Sequence, residues 1–148
     1  MIIKPKILIT LGAVITLIWL SPILLEGHQL KPFTSDGCSA FPDGTFSQPS
    51  LWSECCFKHD IAYWKGGSFA EKVAADNALA QCVSRTGSPK TAWLMLKGVK
   101  MGGSAYLPTS FRWGYGWQYL RAYKALSSDE KIQIQKQLKK QRQAMALF

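Results

Sequence analysis

The residues best suited to chemistry lie within nine positions, Cys55–Tyr63, which read Cys-Cys-Phe-Lys-His-Asp-Ile-Ala-Tyr. Cys56, His59 and Tyr63 recur at spacings of three and four, so a helix would place them on one face. Asp60 would be turned from His59 by about 100° and would serve a different neighbour. An imidazole can act as a general base and a carboxylate can bind a cation. An arbitrary helical pair of this kind is more often a packed histidine beside a solvated charge, so the surrounding residues must decide.

The chain has four cysteines, an even number that allows two disulfides in an exported protein. Three pairings are possible in principle. Cys55 and Cys56 are adjacent, too close to bridge each other comfortably and too differently directed to share one metal ion. His59 is the one histidine beyond the apolar leader, which further weakens a zinc site. The sequence therefore favours two disulfides among Cys38, Cys55, Cys56 and Cys82.

The elements that would position these residues are mostly helical. Gly, Pro, Ser and Asp dominate the segment before the first helix, which predicts a structured loop. Gly66-Gly67 and Gly87-Ser88-Pro89 are expected to end the first two helices. No repeat or low-complexity tract interrupts the chain, so we expect one compact domain. The predicted elements are a loop over 35–50 and helices over 51–65, 69–83 and 91–100.

The amino-terminal segment predicts export. Residues 7–25 carry no charge, and as a helix they would cover ~28 Å, close to the thickness of a hydrocarbon core. Lys4 and Lys6 precede them, so the positive-inside rule places the rest of the chain outside the cytoplasm. The apolar run is long for a signal peptide and no small-x-small site follows, which favours an uncleaved anchor over a secreted form. We expect 1–30 to be this leader and 31–148 the exported domain.

The pattern Cys-Cys-x-x-His-Asp-x-x-Tyr resembles the active-site helix of secreted phospholipases A2 at every quoted position. The next helix agrees, because Asp76 precedes Cys82 by six residues, as in the family segment that orients the catalytic histidine. The resemblance covers 35–83, about a third of the chain. It implies a mostly α, phospholipase A2-like fold with two antiparallel, disulfide-linked helices and a calcium-binding loop. The disulfides it implies are Cys38–Cys56 and Cys55–Cys82.

The loop resembles the bacterial and fungal members of that family more than the animal enzymes. Residues 36–39 read Asp-Gly-Cys-Ser, and Pro42-Asp43-Gly44 follows. The resemblance implies calcium ligands from the Asp36 side chain, the Gly37 carbonyl and the Asp60 side chain. Calcium takes six to eight oxygens, so positions would remain for water and substrate. The aspartate at 43 could assist the metal, but a turn in which it bonds its own backbone is the preferred interpretation.

The implied activity is calcium-dependent hydrolysis of the sn-2 ester of glycerophospholipids. Neutral His59 would remove a proton from the attacking water, Asp76 would hold the imidazole, and Tyr63 would support that network. Calcium would stabilise the oxyanion. The alternative is a catalytically silent module that binds lipid or calcium, or helps to build the cell envelope. The base, its orienting aspartate and a calcium carboxylate are all present, which favours hydrolysis.

The carboxyl-terminal third lies outside the resemblance. Residues 112–121 combine aromatic rings with cations, which suits either a bilayer interface or a protein core. Ser127 and Glu130 form a capping box that predicts a lysine-rich, amphipathic helix. Eight basic and two acidic residues from 112 onward supply +6 of the net charge of +9. The predicted partner is an anionic phospholipid membrane surface, with a solvated basic face as the alternative, and no nucleic-acid motif is present.

Overall fold

A computed structural model of the chain describes residues 29–146. Within that range the chain forms four helices and no strand, which confirms the expected mostly α class. No helix among these residues is both long enough and apolar enough to cross a membrane. The first 28 residues of the predicted leader lie outside the described range. The helices are α1 (Ser53–Lys65), α2 (Phe69–Arg85), α3 (Pro89–Gly102) and α4 (Ser128–Met145).

The helix ends follow from local capping chemistry. α1 ends at Gly66, whose φ of +65° suits a residue without a Cβ. Ser68 starts α2 with a capping box: its hydroxyl accepts from the Glu71 N–H, and the Glu71 carboxylate accepts from the Ser68 N–H. α3 starts at residue 89 instead of 91. Pro89, interpreted from sequence as a stop, occupies the first turn, where its missing N–H costs nothing.

α1 and α2 run antiparallel, because positions early in one helix meet positions late in the other. Cys55, near the start of α1, is bonded to Cys82, near the end of α2. One turn later in α1, His59 contacts Asp76, which lies earlier in α2. One implied disulfide and the antiparallel arrangement are therefore confirmed.

The largest core cluster in the described chain lies among the first three helices and contains both disulfides. Cys38, in the loop before α1, is bonded to Cys56, which confirms the second implied pairing. The two bridges close segments separated by 18 and 27 residues, and chain entropy gives each about 3 kcal/mol of stabilisation. The other buried residues of this core are Trp52, Leu79, Val83, Ala92 and Met95.

α4 closes a second core that joins both ends of the described chain. Its buried Ile134 packs with Leu30, Trp64 and Trp117. The folded part of the chain therefore includes Leu30, one residue before the predicted domain start. The apolar side of α4 faces the protein, while its lysines are exposed to solvent. The capping box predicted at its start is present.

The irregular segment 103–127 supplies core tryptophans. Trp113 and Trp117 are buried, and their indole N–H groups donate to backbone carbonyls at and just beyond the end of α1. The buried guanidinium of Arg112 donates to three carbonyls of the same segment. For these three residues the core interpretation of 112–121 is the correct one.

Candidate active site

His59 and Asp76 form a buried pair between the two disulfide-linked helices. His59 Nε2 and Asp76 Oδ1 lie 3.2 Å apart, and the side chains are 8 % and 1 % exposed. An ionised carboxylate can only accept, so Nε2 carries the proton and Nδ1 carries the lone pair. Within residues 29–146, Nδ1 has no hydrogen-bond partner, and the imidazole borders a cavity. This arrangement leaves one ring nitrogen able to accept a proton.

Asp76 is surrounded by donors. Besides His59, the Tyr63 hydroxyl donates to Oδ1 at 2.7 Å and the Lys72 ammonium donates to Oδ2 at 2.7 Å. Burial alone would raise the pKa of Asp76, but the hydrogen bonds from His59, Lys72 and Tyr63 outweigh burial and hold that pKa below its ordinary value. The carboxylate therefore stays ionised as the acceptor for His59. The sequence analysis did not assign Lys72 to the site. Its spacing of four residues from Asp76 on one helix was the signal that could have indicated this contact.

Tyr63 lies where the sequence placed it, on the same face of α1 as His59. Its ring centroid is 4.2 Å from that of His59, and its hydroxyl also lies 3.3 Å from the carbonyl of Val99 in α3. Burial and the neighbouring Asp76 charge raise the pKa of Tyr63, so it acts as a neutral donor. Gly103, just after α3, leaves room for this hydroxyl, because a Cβ there would collide with it.

The loop before α1 is braced by Asp43. Its Oδ1 accepts from the Cys38 N–H at 2.8 Å, and its backbone carbonyl accepts from the Trp52 N–H at 3.0 Å. The predicted bond from the Asp43 side chain to its own turn is therefore wrong, because the carboxylate reaches across the loop to the cysteine. Gly37 has a φ of +77°, and a Cβ there would lie 2.5 Å from Asp43 Oδ1. Only glycine fits this conformation without displacing the brace.

Asp36 and Asp60 border the same cavity. Asp36 Oδ1 accepts from the Ser39 hydroxyl at 2.9 Å, and Asp60 Oδ2 accepts from the Ser35 hydroxyl at 2.6 Å. Burial, together with the charges of Asp36 and Asp43, raises the pKa of Asp60 to about 6, although the Ser35 bond and His59 oppose this rise. A bound cation would relieve the repulsion among these carboxylates.

The oxygen donors fit a hard cation such as calcium in type and in charge. The expected set comprises two carboxylates and the Gly37 carbonyl, from three residues that border one cavity. No group of three or more His, Cys, Asp or Glu side chains in residues 29–146 could hold a metal ion. The expected calcium site has only two such side chains, those of Asp36 and Asp60, so it is smaller than a group of three. It would leave coordination positions for water and substrate oxygens.

The cavity is lined by polar residues of the loop and α1 and by a larger set of apolar side chains. Its volume is about 490 Å³, and His59 is among the residues that line it. α3 contributes Gly98 and Gly102, which leave space beside Phe41 and Phe111. A molecule with a polar ester and an apolar chain would match this mixed lining. The apolar wall consists of Phe41, Leu79, Met95, Val99 and Phe111.

Tyr115 connects the carboxyl-terminal segment to the loop. Its hydroxyl donates to the carbonyl of Thr34, and its ring borders the cavity. Burial, reinforced by the charges of Asp60 and Asp36, raises the pKa of Tyr115 and keeps it neutral. Sequence analysis missed this residue because 112–121 lies outside the resemblance and its side-chain periodicity does not indicate a site.

Every predicted site residue is therefore near the cavity: five border it, and Asp76 lies behind His59. The five are Asp36, Gly37, His59, Asp60 and Tyr63. No match was found when the chain was compared with protein-family models, with curated proteins and with solved structures.

Proposed function

We propose that this protein is a phospholipase A2-like enzyme that hydrolyses the sn-2 ester of glycerophospholipids with calcium as its cofactor. The observation that carries the proposal is the placement of His59. Its Nε2 is held by the buried Asp76, while Nδ1 has no hydrogen-bond partner among residues 29–146 and the ring borders a largely apolar cavity. Asp36, Gly37 and Asp60, the proposed oxygen donors, border the same cavity.

The proposed reaction follows from the tautomer that Asp76 imposes. A water molecule beside Nδ1 loses its proton to that nitrogen as its oxygen attacks the ester carbonyl. Asp76 keeps the ring oriented and stabilises the imidazolium that forms. His59 then returns the proton to the departing alkoxide, so that a fatty acid and a lysophospholipid leave. The apolar wall of the cavity would hold the acyl chain and exclude bulk water.

Three residues beside the cavity would hold the calcium ion. The carboxylates of Asp36 and Asp60 and the carbonyl of Gly37 would bind it, and the Asp43 carboxylate holds the loop beside Gly37 by its bond from the Cys38 N–H. When bound, calcium supplies positive charge to the developing oxyanion and to the substrate phosphate.

The proposed partner is an anionic phospholipid membrane surface. α3, which borders the cavity, also exposes Trp93, Leu94 and Met101 to solvent, and the Lys97 ammonium lies 5.6 Å from the Trp93 ring centroid. Aromatic, apolar and basic side chains together suit a bilayer interface. Export is proposed as well, and two disulfides are compatible with an oxidising compartment.

The test measures fatty-acid release from vesicles of sn-2-labelled phospholipid, with and without anionic lipid. The full chain is assayed with calcium and with chelator, beside His59→Gln and the control Lys58→Gln. Lys58 neighbours His59 but lies on the exposed face of α1, paired with Glu54 at 2.7 Å. Calcium-dependent release that His59→Gln abolishes and Lys58→Gln retains is the expected result.

A folded, calcium-binding protein that releases no fatty acid from any headgroup class would contradict hydrolysis. The catalytically silent binding module would then be the better description. Release of the sn-1 chain instead would retain an esterase but reject the proposed position of attack.

A further inference from the structure

Lys72 is a buried cation with an unusual set of contacts. The residue is 3 % exposed, and its ammonium donates to Asp76 Oδ2 at 2.7 Å and to the Val99 carbonyl at 3.3 Å. It also lies 5.4 Å from the centroid of the Tyr63 ring. A lysine is rarely buried without a partner, because removing its charge from water is costly. Lys72 therefore belongs to the network around His59.

The contacts divide the two oxygens of Asp76. Oδ1 accepts hydrogen bonds from His59 and Tyr63. Among the described residues, Oδ2 accepts a hydrogen bond from Lys72 alone. Lys72 and Tyr63 also share the Val99 carbonyl, so the same two donors join α1, α2 and α3 at this point. With Lys72 charged and Asp76 ionised, the pair is neutral overall, which makes its burial tolerable.

Removing the ammonium would leave Asp76 buried with a charge and no cation. Such a carboxyl gains from binding a proton. A protonated Asp76 could donate to His59 Nε2, which would move the imidazole proton to Nδ1 and face a donor, instead of a lone pair, toward the cavity. The titratable groups that act on Asp76 are His59 and Tyr63 from α1 and Lys72 from α2. Beyond these, Asp60 interacts with His59, Tyr123 from segment 103–127 interacts with Tyr63, and α3 contributes the Val99 carbonyl.

We propose that Lys72 is a positioning residue, whose ammonium neutralises Asp76 and anchors Oδ2 so that Oδ1 holds His59 in the tautomer with its lone pair on Nδ1. This inference rests on the proposed function for its catalytic meaning. Its structural content, the tautomer of His59, can be measured without substrate or calcium.

The experiment compares Lys72→Met, Lys72→Gln and Lys72→Arg with the full wild-type chain. Arg85→Met is the control, because Arg85 is an exposed cation on the same helix. Long-range proton–nitrogen NMR distinguishes the two tautomers of His59. The spectra are recorded with chelator and under conditions where the imidazole is neutral, and the His59→Gln variant identifies the His59 signals. Phospholipid hydrolysis then gives kcat and KM separately. Lys72→Gln keeps a donor without the charge and takes the place of the methionine variant if that variant does not fold.

We expect the neutral variants to shift His59 toward the Nδ1–H tautomer. Their kcat should fall on the order of 10²-fold, while KM stays within about twofold. Lys72→Arg should recover part of kcat, and Arg85→Met should match the wild type.

An unchanged tautomer in a folded neutral variant would overturn the role of Lys72, whatever happens to kcat. A shifted tautomer in a protein that hydrolyses nothing would instead uphold Lys72 as the residue that positions the pair and reject the proposed function. The two failures are therefore distinguishable.

Discussion

His59 and Asp60 are neighbours in the chain, yet α1 gives them different partners. His59 points between the helices toward Asp76, whereas Asp60 points to the loop and accepts from Ser35. The turn of about 100° per residue that predicts this division is a property of any α-helix, so it could be derived from the sequence. The identity of each partner could not, because it depends on which segments pack beside α1.

Tyr63→Phe tests the hydroxyl that supports Asp76. The substitution keeps the ring against His59 but removes the donor to Asp76 Oδ1. We expect the free energy of unfolding to fall by about 1 kcal/mol, and kcat to fall no more than about tenfold because the bond to His59 remains. Urea unfolding and phospholipid hydrolysis measure the two effects. The control is Tyr106→Phe at an exposed tyrosine, and equal losses in both variants would contradict a specific role for Tyr63.

Asp60 predicts a pH dependence in the metal-free protein. Its pKa is raised from 3.8 to about 6 on folding, so the folded state binds this proton more tightly than the unfolded chain. The resulting stability is fully present below pH 3.8 and is lost as the pH rises through about 6. Urea unfolding in chelator should therefore show a difference between wild type and Asp60→Asn that varies with pH in this direction.

Calcium should reverse that trend, because it binds the ionised carboxylate. Saturating calcium should stabilise the wild-type protein more at neutral pH than at pH ~4.5, where protons compete for Asp60. Asp60→Asn should bind calcium weakly at every pH. Unchanged calcium affinity in this variant, measured by calorimetry, would refute the ligand assignment.

At the level of elements, the two disulfides fasten different pairs of segments. Cys38–Cys56 ties the loop that carries Asp36 to α1, whereas Cys55–Cys82 ties α1 to α2. Replacing either pair by alanine should lower the free energy of unfolding by about 3 kcal/mol, since the closed loops are similar in length.

The functional consequences of the two replacements should differ. Loss of Cys38–Cys56 should weaken calcium binding most, and loss of Cys55–Cys82 should reduce kcat most, because that bridge holds His59 against Asp76. Calorimetry and single-turnover hydrolysis on the folded variants separate these effects. Identical calcium affinities in the two variants would show that the loop is held by other contacts, such as the Asp43 brace.

The helices were predictable where the signals are local. Gly66 and Gly67 end α1, and the capping box at Ser127 starts α4, as the sequence indicates. The predicted end of α2 before Gly87-Ser88-Pro89 is confirmed, but the predicted start of α3 at 91 is two residues late, because a proline that follows one helix can also start the next. Asp43 was misinterpreted because its partner, the Cys38 N–H, is positioned by the fold of the whole loop. A turn preference carries no information about such a contact.

At the scale of the whole molecule, the carboxyl-terminal third completes the domain. Tryptophans with neighbouring cations are equally compatible with a protein core and with a membrane interface. In either place the apolar ring can be buried while the indole N–H finds a polar partner. The deciding contacts, from Trp113 and Trp117 to carbonyls near the end of α1, join residues about fifty positions apart. Tyr115 enters the candidate site by the same long-range packing, which the sequence pattern does not reveal.

Two isoleucines on α4 test this assembly. Ile134 is 3 % exposed and packs on Leu30, Trp64 and Trp117, whereas Ile132 is 65 % exposed. Ile134→Ala should lower the free energy of unfolding by about 3 kcal/mol, because it opens a cavity in that core, and Ile132→Ala should change it by less than about 0.5 kcal/mol. Urea unfolding compares the two variants directly.

Hydrolysis by the folded Ile134→Ala protein should stay within about twofold of wild type, since the substitution lies outside the cavity around His59. Such a result would separate the role of α4 in stability from the chemistry of the site. Equal stability of the Ile134 and Ile132 variants would instead mean that α4 does not pack on Leu30 and Trp64 in solution. In that case α4 alone would be separate from the packed domain, and its apolar side and its lysines would be free to contact a membrane.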